Sequence, residues 1–363
     1  MNDTSVTGWR KELFAAFFEF RPGARPWHVP VLAALSVGLP ILSGYFLGNV
    51  RDGVLASIAG LVILYMPSSS LANRMITLIA CSFGLILSFF IGFSFSFNTL
   101  LSSLVLGVYV SAVHWLTKYF RLAPPGNFFF ILVAAIASCM PFNAAQIPLK
   151  VGLIAMGTIG ACTLALLFSL LSMQKQLPEK EVIIVNKNRY TYLTESAVWG
   201  IFVALSLYLA HLLELDNPYW VPTSCAAVMQ GVNTTHILRR SFHRVLGTFL
   251  GLGLAWLLLL LRPSLMVICF SIIILQFIVE VIVVKNYTVA VIFITTLTIF
   301  LAESGNPAAM GHPDKLVLAR MLDIILGSAI GAVGGWILYH RKLHRNLERQ
   351  IRKTKIVVKK SRR

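Results

Sequence analysis

Ionised side chains are scarce: Asp, Glu, Lys and Arg make up 12% of the 363 residues, against roughly 25% in an ordinary soluble domain. With 57% apolar residues and a mean hydropathy of +0.78, that deficit excludes a water-soluble globule. Acids are the scarcer sign, 14 against 31 cations, for a formal net charge of +17. Cysteine is sparse too. Cys81, Cys139, Cys162, Cys225 and Cys269 stand singly, without the spacing of a zinc site, redox motif or disulfide framework, and read as small packing residues. No nucleophile elbow, phosphate loop, paired metal ligands or catalytic dyad is recognisable. Neither an enzyme nor a metal or organic cofactor is therefore expected. The N-terminal cations precede Trp27 and an apolar run of about 20 residues, longer than a typical signal core, so that run is expected to stay in the mature chain.

What the sequence has in abundance is long uncharged stretches. A bilayer core about 30 Å thick takes roughly 20 helical residues, fewer where a helix is broken. Breaks at polar and Pro/Gly clusters predict segments at 29–48, 53–66, 72–92, 98–117, 127–142 and 148–172, then 193–213, 219–232, 242–261, 264–284, 287–302 and 317–339. With the N-terminus in the cytoplasm, 26 of the 31 cations fall on the inner side; only Arg51, Lys150, Arg262, Lys315 and Arg320 fall outside. Cations concentrate in cytoplasmic loops, so both termini are expected there. Sliding the chain along itself sets Arg74 on Arg239 and Lys150 on Lys315, and the polar run 67–70 on 232–235. An even number of spans per half makes the halves parallel. The expectation is an all-α integral membrane protein, about twelve transmembrane helices as two parallel six-helix repeats. The first repeat spans 29–172 and the second 193–340, with a cytoplasmic segment 1–28, a linker 173–192 and a basic tail 341–363.

Three stretches carry a family likeness: Asn217-Pro218-Tyr219-Trp220-Val221-Pro222, Arg239-Arg240, and Arg244-Val245-Leu246-Gly247-Thr248-Phe249-Leu250-Gly251. Together they resemble the membrane repeat of the fusaric acid resistance (FUSC) and aromatic acid exporter proteins. Pro124-Pro125-Gly126-Asn127-Phe128-Phe129-Phe130 resembles a loop-to-helix junction common there. The first half keeps Arg74 and Gly84 but lacks the Tyr-Trp pair. The resemblance implies a bacterial inner-membrane transporter that exports aromatic or other organic acids. Plant malate channels are similar more distantly, which implies passive anion conduction as an alternative. A structural or lipid-organising membrane protein is the third class.

Predicted spans two and eight are the shortest and occupy corresponding places in the two halves, the best sequence pointer to a binding site. Span eight is also the most polar, with Thr223, Ser224 and Gln230. Tyr219 and Trp220 offer stacking faces there or serve as an interfacial anchor. Pro222 kinks the helix or begins its first turn. Arg74, Arg239, Arg240 and Arg244 are placed at cytoplasmic mouths, where a guanidinium can grip a carboxylate with two hydrogen bonds or reach lipid phosphates. Arg239 and Arg244 are the better pocket candidates, Arg244 heading the Gly247/Gly251 stripe, whose spacing suits close helix packing.

Glu280 lies in the apolar run 277–282, and the repeat offset sets His114 opposite it. The pair is read as proton-coupling, or alternatively as Glu280 paired with Lys285 and His114 capped locally. Asp323, three residues after Arg320, is expected to form a same-helix ion pair. His211, Glu214 and Asp216 form a polar cluster at an outer loop. From Arg341 to Arg363 there are 11 cations and one acid, Glu348. Such a cluster is expected to attract anionic lipids at about 1 kcal/mol per cation. It lacks aromatics for stacking on bases, so nucleic acid is not an expected partner. The expected substrate is a small organic anion, and a homo-oligomer is compatible with this layout.

Overall fold

The computed structural model of the chain describes residues 25–171, 189–231, 233–305 and 313–339. Most of the expected linker, the basic tail, and nearly all of the segment 1–28 lie outside these residues, while the linker's last four positions, 189–192, belong to a helix. Every regular element among them is helical. In chain order they are α1 (His28–Phe46), α2 (Val50–Gly60, continued by a 3₁₀ turn Leu61–Tyr65), α3 (Leu71–Ser94), α4 (Thr99–Tyr119), α5 (Phe128–Ser138) and α6 (Ile147–Leu171). Then follow α7 (Arg189–Leu212), α8 (Trp220–Met229), α9 (Thr234–Leu260), α10 (Leu265–Ile282), α11 (Tyr287–Gly305) and α12 (Pro313–Tyr339).

Helix starts follow side-chain capping. Asn49, Ser70, Asn98, Asn233 and Ser264 each accept a hydrogen bond from the backbone N–H three residues on, satisfying a donor that the first turn leaves free. The Asn233 cap corrects the predicted start of the ninth segment from 242 to 234. Arg239 and Arg240 thus stand within a helix rather than in a loop at its mouth, and Arg244, inside the predicted segment, lies deeper in that helix. The fifth segment is shorter than expected, ending at Ser138 before Pro141. Pro222 is the third residue of α8, in its first turn.

Among the described residues eight helices are long and apolar enough to cross a membrane: α1, α3, α4, α6, α7, α9, α10 and α12. Of the other four, α2 and α5 have 11 residues and α8 has 10, while α11 has 19 and holds an apolar stretch Tyr287–Ala302. Eleven residues rise only about 16 Å. A helix end inside hydrocarbon would leave backbone groups unsatisfied, so such ends must be covered by protein or face water. All ten residues of α8 are buried, and seven of the eleven in α5.

The neighbours recur six helices on. α1 packs on α2, α2 on α6, and α3 on α5 and α6; likewise α7 packs on α8, α8 on α12, and α9 on α11 and α12. Across the middle, α4 lies against α7 and α10 against α1, while α5 meets α8 and α11 meets α2. Glycines permit the close crossings. A Cβ on Gly92 of α3 would strike the carbonyl oxygen of Ala134 in α5, and one on Gly251 of α9 would stand 2.5 Å from that of Ile292 in α11. Gly157 of α6 meets Ala56 of α2 in the same way, as Gly327 of α12 meets Val221 of α8.

Gly253, two residues beyond Gly251, has open space where a Cβ would go. Gly251→Val should therefore destabilise the purified protein in detergent by about 1–3 kcal/mol, read as a lowered Tm, while Gly253→Ala leaves the Tm unchanged or raised. Equal losses at both positions would contradict the packing account.

Candidate substrate cavity

The three short helices and α11 line one cavity of about 1380 Å³, whose wall α4, α7, α9, α10 and α12 complete. Ile58 and Leu61 at the end of α2, Phe129 and Ile136 of α5, Thr223 and Ala227 of α8, and Val291 and Thr298 of α11 all line it. It runs the whole length of α5, from Asn127 to Pro141, and of α8, from Asn217 to Gly231. The ends of these helices thus open on a space where water can satisfy their free backbone groups.

The ionised lining is strongly one-sided. Arg25, Arg51, Lys118, Arg121, Arg240, Arg244 and Arg320 contribute seven cations, and Glu195 and Glu280 two carboxylates. Arg25 forms an ion pair with Glu280. Arg240, Arg244 and Arg320 have neutral partners. Arg240 donates from Nη2 to Gln230 Oε1 at 3.1 Å, and its guanidinium carbon lies 4.4 Å from the centre of the Tyr287 ring. Arg244 donates from Nη2 to Ser224 Oγ at 3.3 Å and from Nη1 to Tyr287 Oη at 3.5 Å. The Nε atoms of both arginines are buried without an acceptor. Gln230 completes the cluster by donating from Nε2 to the Pro125 carbonyl at 3.0 Å, which ties the α4–α5 loop to α9.

Arg320 enters from α12. Its guanidinium carbon lies 3.1 Å from the centre of the Trp220 ring, and Nη2 donates to Thr298 Oγ1 at 3.3 Å. Its Nε and Nη1 have no acceptor. The expected same-helix ion pair between Arg320 and Asp323 is corrected here: Arg320 turns toward the indole, and both Asp323 oxygens are left without a partner. Trp220 is buried under that arginine, which removes the reading of it as a lipid-facing anchor. Tyr219 packs beside it with ring centroids 4.8 Å apart.

His114 and Glu280 stand at matching places, each sixteen residues beyond its cap, Asn98 and Ser264. Both line the cavity and they do not touch each other. His114 stacks on Trp199 with centroids 4.7 Å apart, and Asn127 Nδ2 donates to its Nδ1 at 3.0 Å. The proton then sits on Nε2, which is buried without an acceptor. Glu280 is held by Arg25 and by Gln276 Nε2 at 3.2 Å, so Arg25 takes the place expected of Lys285.

Of the residues singled out by sequence, Arg244, Tyr219, Trp220, Gln230, Glu280 and His114 line the cavity, and Arg74 and Arg239 do not. Arg74 is buried elsewhere, donating from Nε to the Pro67 carbonyl at 3.1 Å and from Nη1 to Ser169 Oγ at 3.3 Å, which fastens the α2–α3 connection to α6. Arg239 is half-buried on α9, off the cavity. Tyr287, Thr298 and Arg320 are not among the site residues singled out by sequence, and Arg240, named there with the other mouth arginines but ranked below Arg239 and Arg244, lines the cavity. The available signal for Arg320 was its place inside the predicted span 317–339, where a cation at helix depth is costly unless it has a role.

Gln230 is the joint between the loop and the arginine cluster. Gln230→Leu leaves the Pro125 carbonyl and Arg240 Nη2 unpaired, and should lower stability by about 1–3 kcal/mol, measured as thermal unfolding in detergent. An unchanged Tm would show that the joint carries no load.

No solved structure matches the chain. An uncharacterised membrane protein of Bacillus subtilis (strain 168), YvaC, is 21% identical, in a match covering 97% of this chain and 79% of that protein. Residues 203–334 match the family described as fusaric acid resistance protein-like, a stretch that contains Trp220, Gln230, Arg240, Arg244, Glu280, Tyr287 and Arg320. The chain is thus a multi-helix membrane protein that carries, in its second half, the fusaric acid resistance protein-like segment.

Proposed function

We propose that the protein is a transporter of the bacterial inner membrane that exports small organic acids, chiefly aromatic carboxylic acids, and that it has no enzymatic activity. One observation carries this reading: a cavity at helix depth whose ionised lining is seven cations to two carboxylates, with Arg240, Arg244 and Arg320 lacking any carboxylate partner. An uncompensated guanidinium is costly away from water, and a bound carboxylate would relieve that cost through two parallel hydrogen bonds. Trp220, Tyr219 and Phe129 offer faces for the acid's ring. The volume exceeds the about 300–1,000 Å³ of pockets that enclose a drug-sized ligand, so a solute shares the space with water.

In this reading all twelve helices belong to two parallel six-helix halves with both termini in the cytoplasm. The recurrence of helix neighbours after six, and the paired crossings of α4 on α7 and α10 on α1, support it. The basic tail then rests on anionic lipid. Passive conduction is the second reading, and the reach of the cavity past both ends of α5 favours it.

Efflux of labelled benzoate from proteoliposomes tests the first reading. Loss of a charge-assisted hydrogen bond costs about 1.5–3 kcal/mol, or roughly ten- to hundredfold in affinity. Arg244→Gln should raise KM by that factor, and Arg239→Gln, off the cavity, should give a smaller change. Saturable efflux that responds to an imposed pH gradient supports a coupled exporter; non-saturating flux that follows voltage alone supports a channel. Equal transport by wild type and Arg244→Gln would remove Arg244 from the site.

A further inference from the structure

We propose that Asp323 is a proton-binding carboxylate that decides whether Arg320 is free to hold the transported anion. The inference rests on the organic-anion reading of the cavity and adds a proton to that site. Its geometry comes from two helix crossings. Gly327 and Gly331 of α12 lie against the backbone of Val221 and Cys225 in α8, in parallel register. Asp323 is one turn before Gly327 on the same stripe, which sets it level with the turn that opens α8 at Tyr219 and Trp220. On the other side, Ser241 Oγ of α9 donates to the Ser328 carbonyl at 3.3 Å, and this antiparallel crossing brings Arg244, a turn along α9, toward the level of Asp323.

Asp323 is 1% exposed and neither carboxylate oxygen has a hydrogen-bond partner among the described residues. The titratable groups around it are Arg320 on its own helix and Tyr219 and Asp216 at the start of α8, with Arg244 of α9 close to Arg320. From α7, Glu195 lies near Tyr339 and His211 near Cys139. An ionised carboxylate left unpaired at membrane depth is costly. Asp323 therefore either carries a proton or takes a cation. Arg320, three residues earlier, is the cation within same-helix reach.

In the structure that cation is elsewhere, on Trp220 and Thr298, with Nε and Nη1 unpartnered. This is the arrangement that a neutral Asp323 permits. When Asp323 gives up its proton, its carboxylate draws Arg320 away from the indole and competes with a substrate carboxylate for the same guanidinium. Protonation of Asp323 accordingly favours an anion on Arg320, and its loss weakens that binding. Glu280 does not fit this part, because Arg25 and Gln276 already hold its carboxylate.

The test uses full-length protein labelled with 5-fluorotryptophan, the Trp220 resonance being identified by its loss in Trp220→Phe. In wild type, the fluorine resonance of Trp220 should differ between mildly acid and mildly alkaline pH, while benzoate, ionised throughout, should bind about tenfold or more tightly at the acid end. Asp323→Asn should hold the resonance at its acid position and bind benzoate with the acid-end affinity at both pH values. Arg320→Gln should also fix the resonance. Unchanged positions of the other fluorotryptophan signals report that each variant is folded. Asp323→Asn retaining the wild-type pH response, or wild type lacking one, overturns the switch while leaving the anion site standing. A Trp220 response abolished by Asp323→Asn, with no benzoate binding at any pH, upholds the switch and counts against the anion reading.

Discussion

A backbone amide at membrane depth has to find a partner in the protein or in water, and the architecture follows from that constraint. Long helices satisfy it internally and can face lipid. The helices α2, α5 and α8 are too short to do so across a full bilayer, and their ends carry free carbonyls and N–H groups. These three line the cavity together with α11, and α4, α7, α9, α10 and α12 complete its wall. The crossings that hold α5 against α3, α11 against α9, and α2 and α8 against α6 and α12 are close because a glycine lies at each. Shortness and enclosure are thus one design: a helix that stops inside the membrane is tolerated because it stops at a wet space.

The same space sets the electrostatics. A guanidinium never loses its charge in a protein, so Arg240, Arg244 and Arg320 need either a carboxylate or a polarisable and hydrogen-bonding surround. They have the second: the Tyr287 and Trp220 rings, the hydroxyls of Ser224 and Thr298, and the Gln230 carboxamide. Neutral partners lower the cost of burying each cation without cancelling its charge, which leaves the cavity attractive to anions. The carboxylates nearby do not undo this. Glu280 is spent on Arg25, and Asp323 stands off from Arg320.

Much of this was legible in the sequence, for physical reasons that can be named. Low charge and uncharged runs mark membrane helices because ionised groups are excluded from hydrocarbon, and Ser or Asn before such a run marks a start because its side chain caps the first turn. Gly247 and Gly251 announced a close crossing by their spacing. His114 and Glu280 were matched by offset, and both face the cavity. The misreadings share a cause. Hydropathy treats a cation as a sign of loop, so the first two turns of α9 were left out and Arg240 was ranked below Arg239. Arg320 was counted as an outer charge with Asp323 as its partner. What decides these cases is which way a side chain faces around a helix, and that depends on neighbours distant in sequence: α8 for Arg320, and α11 and the α4–α5 loop for Arg240.

The central claim is that the short helices α2, α5 and α8, with α11, border a water-filled space of positive potential. It is tested most directly by the rate at which charged thiol reagents modify Thr223→Cys, on the cavity face of α8, in protein whose native cysteines have been replaced. Relative to their rates with a free thiol, the anionic methanethiosulfonate should react about tenfold or more faster than the cationic one, and a bound aromatic acid should slow it. Equal relative rates, or no reaction with either reagent, would contradict the account.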